Sequence, residues 1–225
     1  MGTPRVKIAI LTSSRADFGI YLPLLRLLST EENIATDVIA FGTHLSARYG
    51  NTLSHIQDAG FNIAWSFDTA PATDTPGDIA RSMAETTRQL TKVWENSHYD
   101  LIFALGDRYE MFAAVASALP FNLKIAHIHG GETTLGAIDN AFRHAITHMS
   151  AFHFTGAEPY RMKVCQLIDS DKNVYNTGAL GIDNLSKIKL MEIDEFRNQF
   201  GIDLLKPSIL ITLHPETIGF DQNRD

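Results

Sequence analysis

The sequence predicts an α/β domain built on a doubly wound parallel sheet, and three observations carry that expectation. Short apolar, β-branched runs alternate along the chain with amphipathic segments of helical period. Those segments are long enough to serve as right-handed crossovers between parallel strands. Two successive apolar runs, over 101–105 and 123–129, each stop abruptly at a cluster of ionisable side chains. In an open parallel sheet, ligands collect beyond the carboxyl ends of the strands.

In chain order, 6–12 reads as a buried strand and 18–28 as a helix with Leu22, Leu25 and Leu28 on one face. Strands over 37–41 and 62–67 flank a helix over 52–59. The segment 78–94 carries Ile79, Met83, Thr86, Leu90 and Trp94 at helical spacing. The alternation continues through 100–105 (strand), 109–119 (helix), 123–129 (strand), 137–150 (helix), 151–155 (strand) and 160–168 (helix). Residues 175–185 contain Gly178 and Gly181 and read as a hinge or linker. Beyond them, 193–200 reads as a helix ending at Gly201, and 208–213 as a strand ending at His214. One strand and one helix cannot bury their own apolar faces. Residues 1–178 are therefore expected to form a Rossmann-like first domain, and 179–225 a linker and the incomplete start of a second α/β domain.

The formal net charge of −7 speaks against general nucleic-acid binding, which needs a basic face. The longest apolar runs are strand-sized, far too short to cross a bilayer, so no membrane partner is expected. Residues 1–5 carry no apolar signal region, and the one cysteine, Cys165, forms no internal disulfide. A cytoplasmic protein is the expectation.

Four motifs carry candidate chemistry. The first strand runs into Thr12-Ser13-Ser14-Arg15-Ala16-Asp17 before a helix. A helix N-terminus with an arginine attracts phosphate, although Ser14 or Asp17 as a cap with Arg15 in a surface ion pair fits equally well. Gly106-Asp107-Arg108 closes the next candidate strand end, where Asp107 is either a helix cap or part of a charged cluster with Arg108 and Glu110. In His127-Ile128-His129-Gly130-Gly131-Glu132, alternation puts both histidines on one face, and two glycines let backbone approach a ligand. Glu132 can then lean towards Asp107, and a carboxylate desolvated beside another acid becomes a general acid or base. The alternative is two packed imidazoles and a turn. Asp139, Arg143, His144 and His148 share the next helix: Asp139 and Arg143 at i,i+4 suit an ion pair, and His144 and His148 have metal-ligand spacing. With no HExxH pattern and a lone cysteine, no metal is expected.

Taken together, these residues resemble the hydrolysing UDP-N-acetylglucosamine 2-epimerases of sialic acid biosynthesis. The resemblance rests on Thr12–Asp17, Ala104-Leu105-Gly106-Asp107-Arg108-Tyr109-Glu110, His127–Glu132 and Gly136-Ala137-Ile138-Asp139-Asn140. Arg143-His144, Thr177-Gly178 and Thr212-Leu213-His214-Pro215-Glu216 extend it over nearly the whole chain in order. It implies a GT-B architecture whose nucleotide contacts lie mainly in the C-terminal domain, of which this chain holds only the opening. It further implies conversion of UDP-N-acetylglucosamine and water to N-acetylmannosamine and UDP, through elimination to a 2-acetamidoglucal and hydration. No cofactor is implied, and the partners are a UDP-sugar and a second copy of the chain in a homodimer.

By position in the motifs, Asp107 and Glu132 are expected to transfer protons, the division between them left open. Asp139 is a further acid/base or orienting group, and His214 is expected to stabilise the diphosphate or leaving group. Arg15, Arg108, His129, Arg143 and His144 are the expected substrate-binding residues, Arg15 and Arg143 at the diphosphate. A UDP-diacetamido-trideoxyhexose substrate, a GT-B glycosyltransferase, a metal-dependent hydrolase and an inactive fragment are the alternatives.

Overall fold

The computed structural model describes residues 6–185 and 189–212. Seven parallel strands form one sheet in the order β3-β2-β1-β4-β5-β6-β7. They are β1 (Val6–Thr12), β2 (Ile34–Ala40), β3 (Ile63–Ser66), β4 (Leu101–Leu105), β5 (Ile125–Ile128), β6 (Phe152–Thr155) and β7 (Val174–Asn176). The helices are α1 (Arg15–Leu28), α2 (Leu53–Asp58), α3 (Pro76–Asn96), α4 (Tyr109–Ala118), α5 (Asp139–Met149), α6 (Glu158–Ile168), α7 (Leu180–Leu185) and α8 (Ile193–Phe200). The expected doubly wound class holds.

Strand alternation explains the two cores. Ile8 and Ile10 of β1 pack with Phe18, Tyr21 and Leu25 of α1, together with Phe103 and Leu105 of β4. Their neighbours Ala9 and Leu11, with Ile102 and Ala104, face the opposite way onto Leu90 and Trp94 of α3 and Met111 of α4. Central strands buried on both faces account for the unbroken apolar runs in the sequence. The chain winds outward from β1 through β2 to β3, then returns to lay β4 against the other side of β1. The carboxyl ends of β1 and β4 therefore border the topological switch point, where such sheets hold ligands.

Two expectations need correction. Residues 175–185 are not a hinge: they supply edge strand β7 and helix α7, which docks on α1. The reason lies in Pro23, inside α1. Without an N–H it leaves the Gly19 carbonyl with no helical donor, and the Asn184 side chain donates to that carbonyl at 2.8 Å instead. The strand expected over 208–213 is absent from 208–212, where Ile209, Leu210 and Ile211 are 88%, 94% and 76% exposed. A strand needs a neighbouring backbone to pair with, and none lies beside these residues among those described. Leu213 and His214 fall outside the described residues. The helix α8 forms as expected and is closed by Gly201 at φ +70°.

Candidate active site

Three segments remote in sequence meet beyond the carboxyl ends of β4 and β5. After β4, Gly106 turns the chain and Asp107 follows. After β5, His129 adopts φ +64°, a left-handed conformation that persists in a non-glycine residue when its surroundings impose it. Here its N–H donates to the Phe154 carbonyl at 2.9 Å, and its own carbonyl accepts from Arg143 Nη1 at 2.8 Å. Its ring Nδ1 lies 2.6 Å from Glu132 Oε1.

Arg143, one turn into α5, completes the cluster. Its Nη2 pairs with Asp107 Oδ2, and its Nη1 stands 3.4 Å from Glu132 Oε2. One guanidinium thus joins both acids. The arginine side chain is 7% exposed, against 20% for Asp107 and 29% for Glu132, so the cation lies underneath and the carboxylates keep an open side. Asp139 makes no ion pair with Arg143 among the described residues, so the simple helical pair expected as an alternative is not formed. Nor does Asp107 cap α4; the cap position is Arg108, with no side-chain cap bond.

The two acids are electrostatically unequal. Burial pushes the Asp107 carboxyl up; Arg143 opposes this, but Asp139 and Glu132 add to it, and the net direction is upward. Burial also pushes Glu132 up, yet the hydrogen bond and charge of His129, with Arg143, outweigh it and hold Glu132 below the ordinary value. A pair of carboxylates pushed apart in this way can divide into a proton carrier and an ionised base.

The paired glycines are required by the protein's own packing. Gly131, at φ +82°, leaves no room for a Cβ, which would collide with the Tyr160 carbonyl of α6. A Cβ at Gly130 would come within 3.1 Å of His127 Nδ1. His127 itself is fully buried, and strand β5 ends one residue before His129, so the two histidines have separate partners.

A second group of residues lies at the ends of β1 and β2. Buried Asp17 accepts from Ser13 N (2.8 Å), Ser13 Oγ (2.7 Å) and Ser14 Oγ (2.9 Å), and Ser14 caps α1. His44 is buried between Thr12 Oγ1 and Thr52 Oγ1, each 2.9 Å away, and burial lowers its pKa to about 4. This turn presents Arg15, the exposed first residue of α1, to a cleft of about 670 Å³ shared with Arg48, His55 and Arg108. Arg48 is paired with Asp74 and Arg108 with buried Glu110, both at 2.7 Å. Arg15 has no ion pair among the described residues. His44 and Arg48 were missed in the sequence, although the end of β2 at this same sheet edge was a signal for them.

Of the residues named from sequence, the structure gathers Asp107, Glu132, His129 and Arg143, with Asp139 near enough to act on Asp107. Arg15 and Arg108 line the adjoining cleft. Arg143 is committed to the acids and the His129 carbonyl, not held open for phosphate. His144 is not brought to the carboxylates; burial, then Lys163, Arg143 and His148, lower its pKa. His214 lies outside the described residues. Among those described, no three His, Cys, Asp or Glu side chains converge as ligands of one metal would.

Comparison with known proteins addresses the family and the fold. A family model described as UDP-N-acetylglucosamine 2-epimerase matches residues 26–224. The polysialic acid biosynthesis protein P7 of Escherichia coli is 36% identical, over 97% of this chain and 56% of its own length. A UDP-N,N'-diacetylbacillosamine 2-epimerase (hydrolyzing) of Legionella pneumophila is 32% identical, over 93% of this chain and 55% of its own. The chain thus spans about half the length of the curated relatives it matches. The crystal structure of UDP-GlcNAc 2-epimerase from Neisseria meningitidis bound to UDP-GlcNAc superposes with TM-score 0.75, covering 87% of this chain and 53% of that one, at 18% identity. At that identity the likeness speaks for the fold, while the family model and the relatives speak for ancestry. The chain belongs to the UDP-N-acetylglucosamine 2-epimerase family.

Proposed function

We propose that this protein is a hydrolysing UDP-N-acetylglucosamine 2-epimerase, converting UDP-N-acetylglucosamine and water to N-acetylmannosamine and UDP for sialic acid-type sugar synthesis. The observation that carries the reading is the pair Asp107 and Glu132, bridged by Arg143, with Asp107 pushed up by burial and Glu132 held down by His129 and Arg143. The C2 hydrogen of the sugar is a weak acid, so its removal needs a positioned base and a stabilised leaving group.

In this scheme Glu132, the acid held ionised, takes the C2 proton. The C2–H electrons form the C1=C2 bond of a 2-acetamidoglucal as the C1–O bond breaks and UDP departs. Arg15, at the N-terminus of α1, stabilises the diphosphate together with Arg108 and His214. Asp107, the acid that burial pushes up, then gives a proton to the opposite face of C2 while water adds at C1 and surrenders a proton to the Asp107 carboxylate. Glu132 returns the proton it took to solvent. Asp139 acts on Asp107 through its charge, and His129 orients Glu132. Arg143 holds the two acids in register. On this reading the protein works in the cytoplasm as a homodimer and needs no redox or metal cofactor.

The 32% identity to a hydrolysing UDP-N,N'-diacetylbacillosamine 2-epimerase favours a second reading, in which the same chemistry acts on a UDP-diacetamido-trideoxyhexose. Proton NMR of the intact protein with each nucleotide sugar separates the cases. Free N-acetylmannosamine and UDP from UDP-N-acetylglucosamine support the first reading. Reaction with the diacetamido sugar alone supports the second, and accumulation of UDP-N-acetylmannosamine contradicts hydrolysis in both.

A further inference from the structure

We propose that His127 is a positioning residue for the carboxylate pair, fixing the turn that carries Asp107 to the helix that carries Arg143. Its consequence for turnover rests on the proposed function; its geometric content does not. Asp107 and Arg143 are 36 residues apart, so their contact depends on the β4–α4 turn and α5 keeping register. His127 lies in β5 between those supports. Its Nε2 is 2.8 Å from the carbonyl of Gly106, the residue before Asp107, and its Nδ1 is 3.1 Å from Thr147 Oγ1. Thr147 is one turn beyond Arg143 on α5 and contacts the Arg143 carbonyl at 3.0 Å.

The segment bearing Glu132 rests on the same two side chains. A Cβ at Gly130 would stand 3.1 Å from His127 Nδ1 and 3.2 Å from Thr147 Oγ1. One imidazole therefore touches the supports of all three charged groups. The ring chemistry suits that task. A carbonyl can only accept, so Nε2 carries the proton given to Gly106, and in a neutral ring Nδ1 is left to accept the single proton of the Thr147 hydroxyl, which then turns from the Arg143 carbonyl to the ring. Burial keeps the ring neutral, with His153 of β6, Arg143 of α5 and His129 after β5 all disfavouring a positive charge there. The groups acting on Asp107 in turn are Arg143 and Asp139 of α5 and Glu132 of the preceding loop.

The test compares His127→Phe, which keeps ring volume and loses both polar contacts, with His127→Gln, whose amide N–H can still serve Gly106. The readout is the titration of the Asp107 carboxyl by carbon-13 NMR in the intact protein, with kcat and KM measured alongside. In folded His127→Phe, Asp107 is expected to titrate at least about half a unit higher, because the Arg143 contact loosens. The kcat should fall about tenfold with KM within about twofold, and His127→Gln should recover most of both effects. Folded His127→Phe with an unchanged Asp107 titration overturns the proposal. Should that variant fail to fold, Thr147→Val severs the α5 end of the link and is held to the same criterion. Because the titration is read without turnover, a shift in a protein inert towards UDP-sugars would leave the positioning intact and remove only the proposed function.

Discussion

Two strand-end regions of this molecule share a device and differ in what they do with it. At the β1–β2 end, a buried imidazole, His44, links Thr12 to Thr52, and buried Asp17 is satisfied by serine hydroxyls and a backbone N–H. At the β4–β5 end, a buried imidazole, His127, links Gly106 to Thr147, and the carboxylates above it share one guanidinium. Uncharged donors around a single acid fix a turn. Burial and neighbouring acids push one of two carboxylates up while a histidine, with the shared cation, holds the other down, which drives the two apart. The first arrangement holds Arg15 and a helix N-terminus in place; the second can move protons.

The sharpest way to break this contrast is to neutralise the acids. Asp107→Asn or Glu132→Gln should each lower turnover of the intact protein by about a thousandfold, the upper part of the general acid–base range, with UDP binding measured by calorimetry largely unchanged. Near-normal turnover in either variant would remove that residue from the chemistry.

Arg143→Met should be the costliest change for stability. It leaves partly buried carboxylates uncompensated, so urea unfolding should show a loss of about 2–3 kcal/mol, accompanied by a large loss of turnover. Smaller, and common to both regions, is the cost of protonating the buried imidazoles. Burial lowers His127 to about 3 and His44 to about 4, both below the ordinary 6.5. As pH falls below 6.5 the unfolded chain takes up protons that the native state refuses, so this stability is complete above 6.5 and is lost as pH falls towards 4 and 3. By pH 5 the loss should be about 2 kcal/mol per imidazole, and His127→Gln should remove one share of that slope. The smallest effect should come from Arg15→Ala, which changes stability by less than about 0.5 kcal/mol while raising KM for the nucleotide sugar several-fold.

The sheet was legible because its central strands are buried on both faces and written as continuous apolar runs, as in 6–12 and 101–105. The end of α1 at Leu28 was legible, and so was Ser14 as a candidate cap, although the polar residues before Phe18 kept the helix from being drawn back to Arg15. Docking of α7 was illegible for a tertiary reason: the free Gly19 carbonyl and its donor Asn184 are 165 residues apart. In the site, Asp107 and Glu132 were visible as acids closing apolar runs. The place of Arg143 between them was not, because helical spacing suggests Asp139 as its partner, whereas the fold brings that side chain to Asp107 and Glu132. The glycines of the His-Gly-Gly-Glu segment were legible as places of close approach, but that Tyr160, His127 and Thr147 are what approaches them was not.

The central claim is that two acids from separate loops exchange a proton with one sugar carbon. Proton NMR of the intact protein acting on UDP-N-acetylglucosamine in deuterated water tests it most directly. The expected product is free N-acetylmannosamine carrying deuterium at C2, absent with Asp107→Asn or Glu132→Gln. A product that retains the original C2 hydrogen would contradict the account.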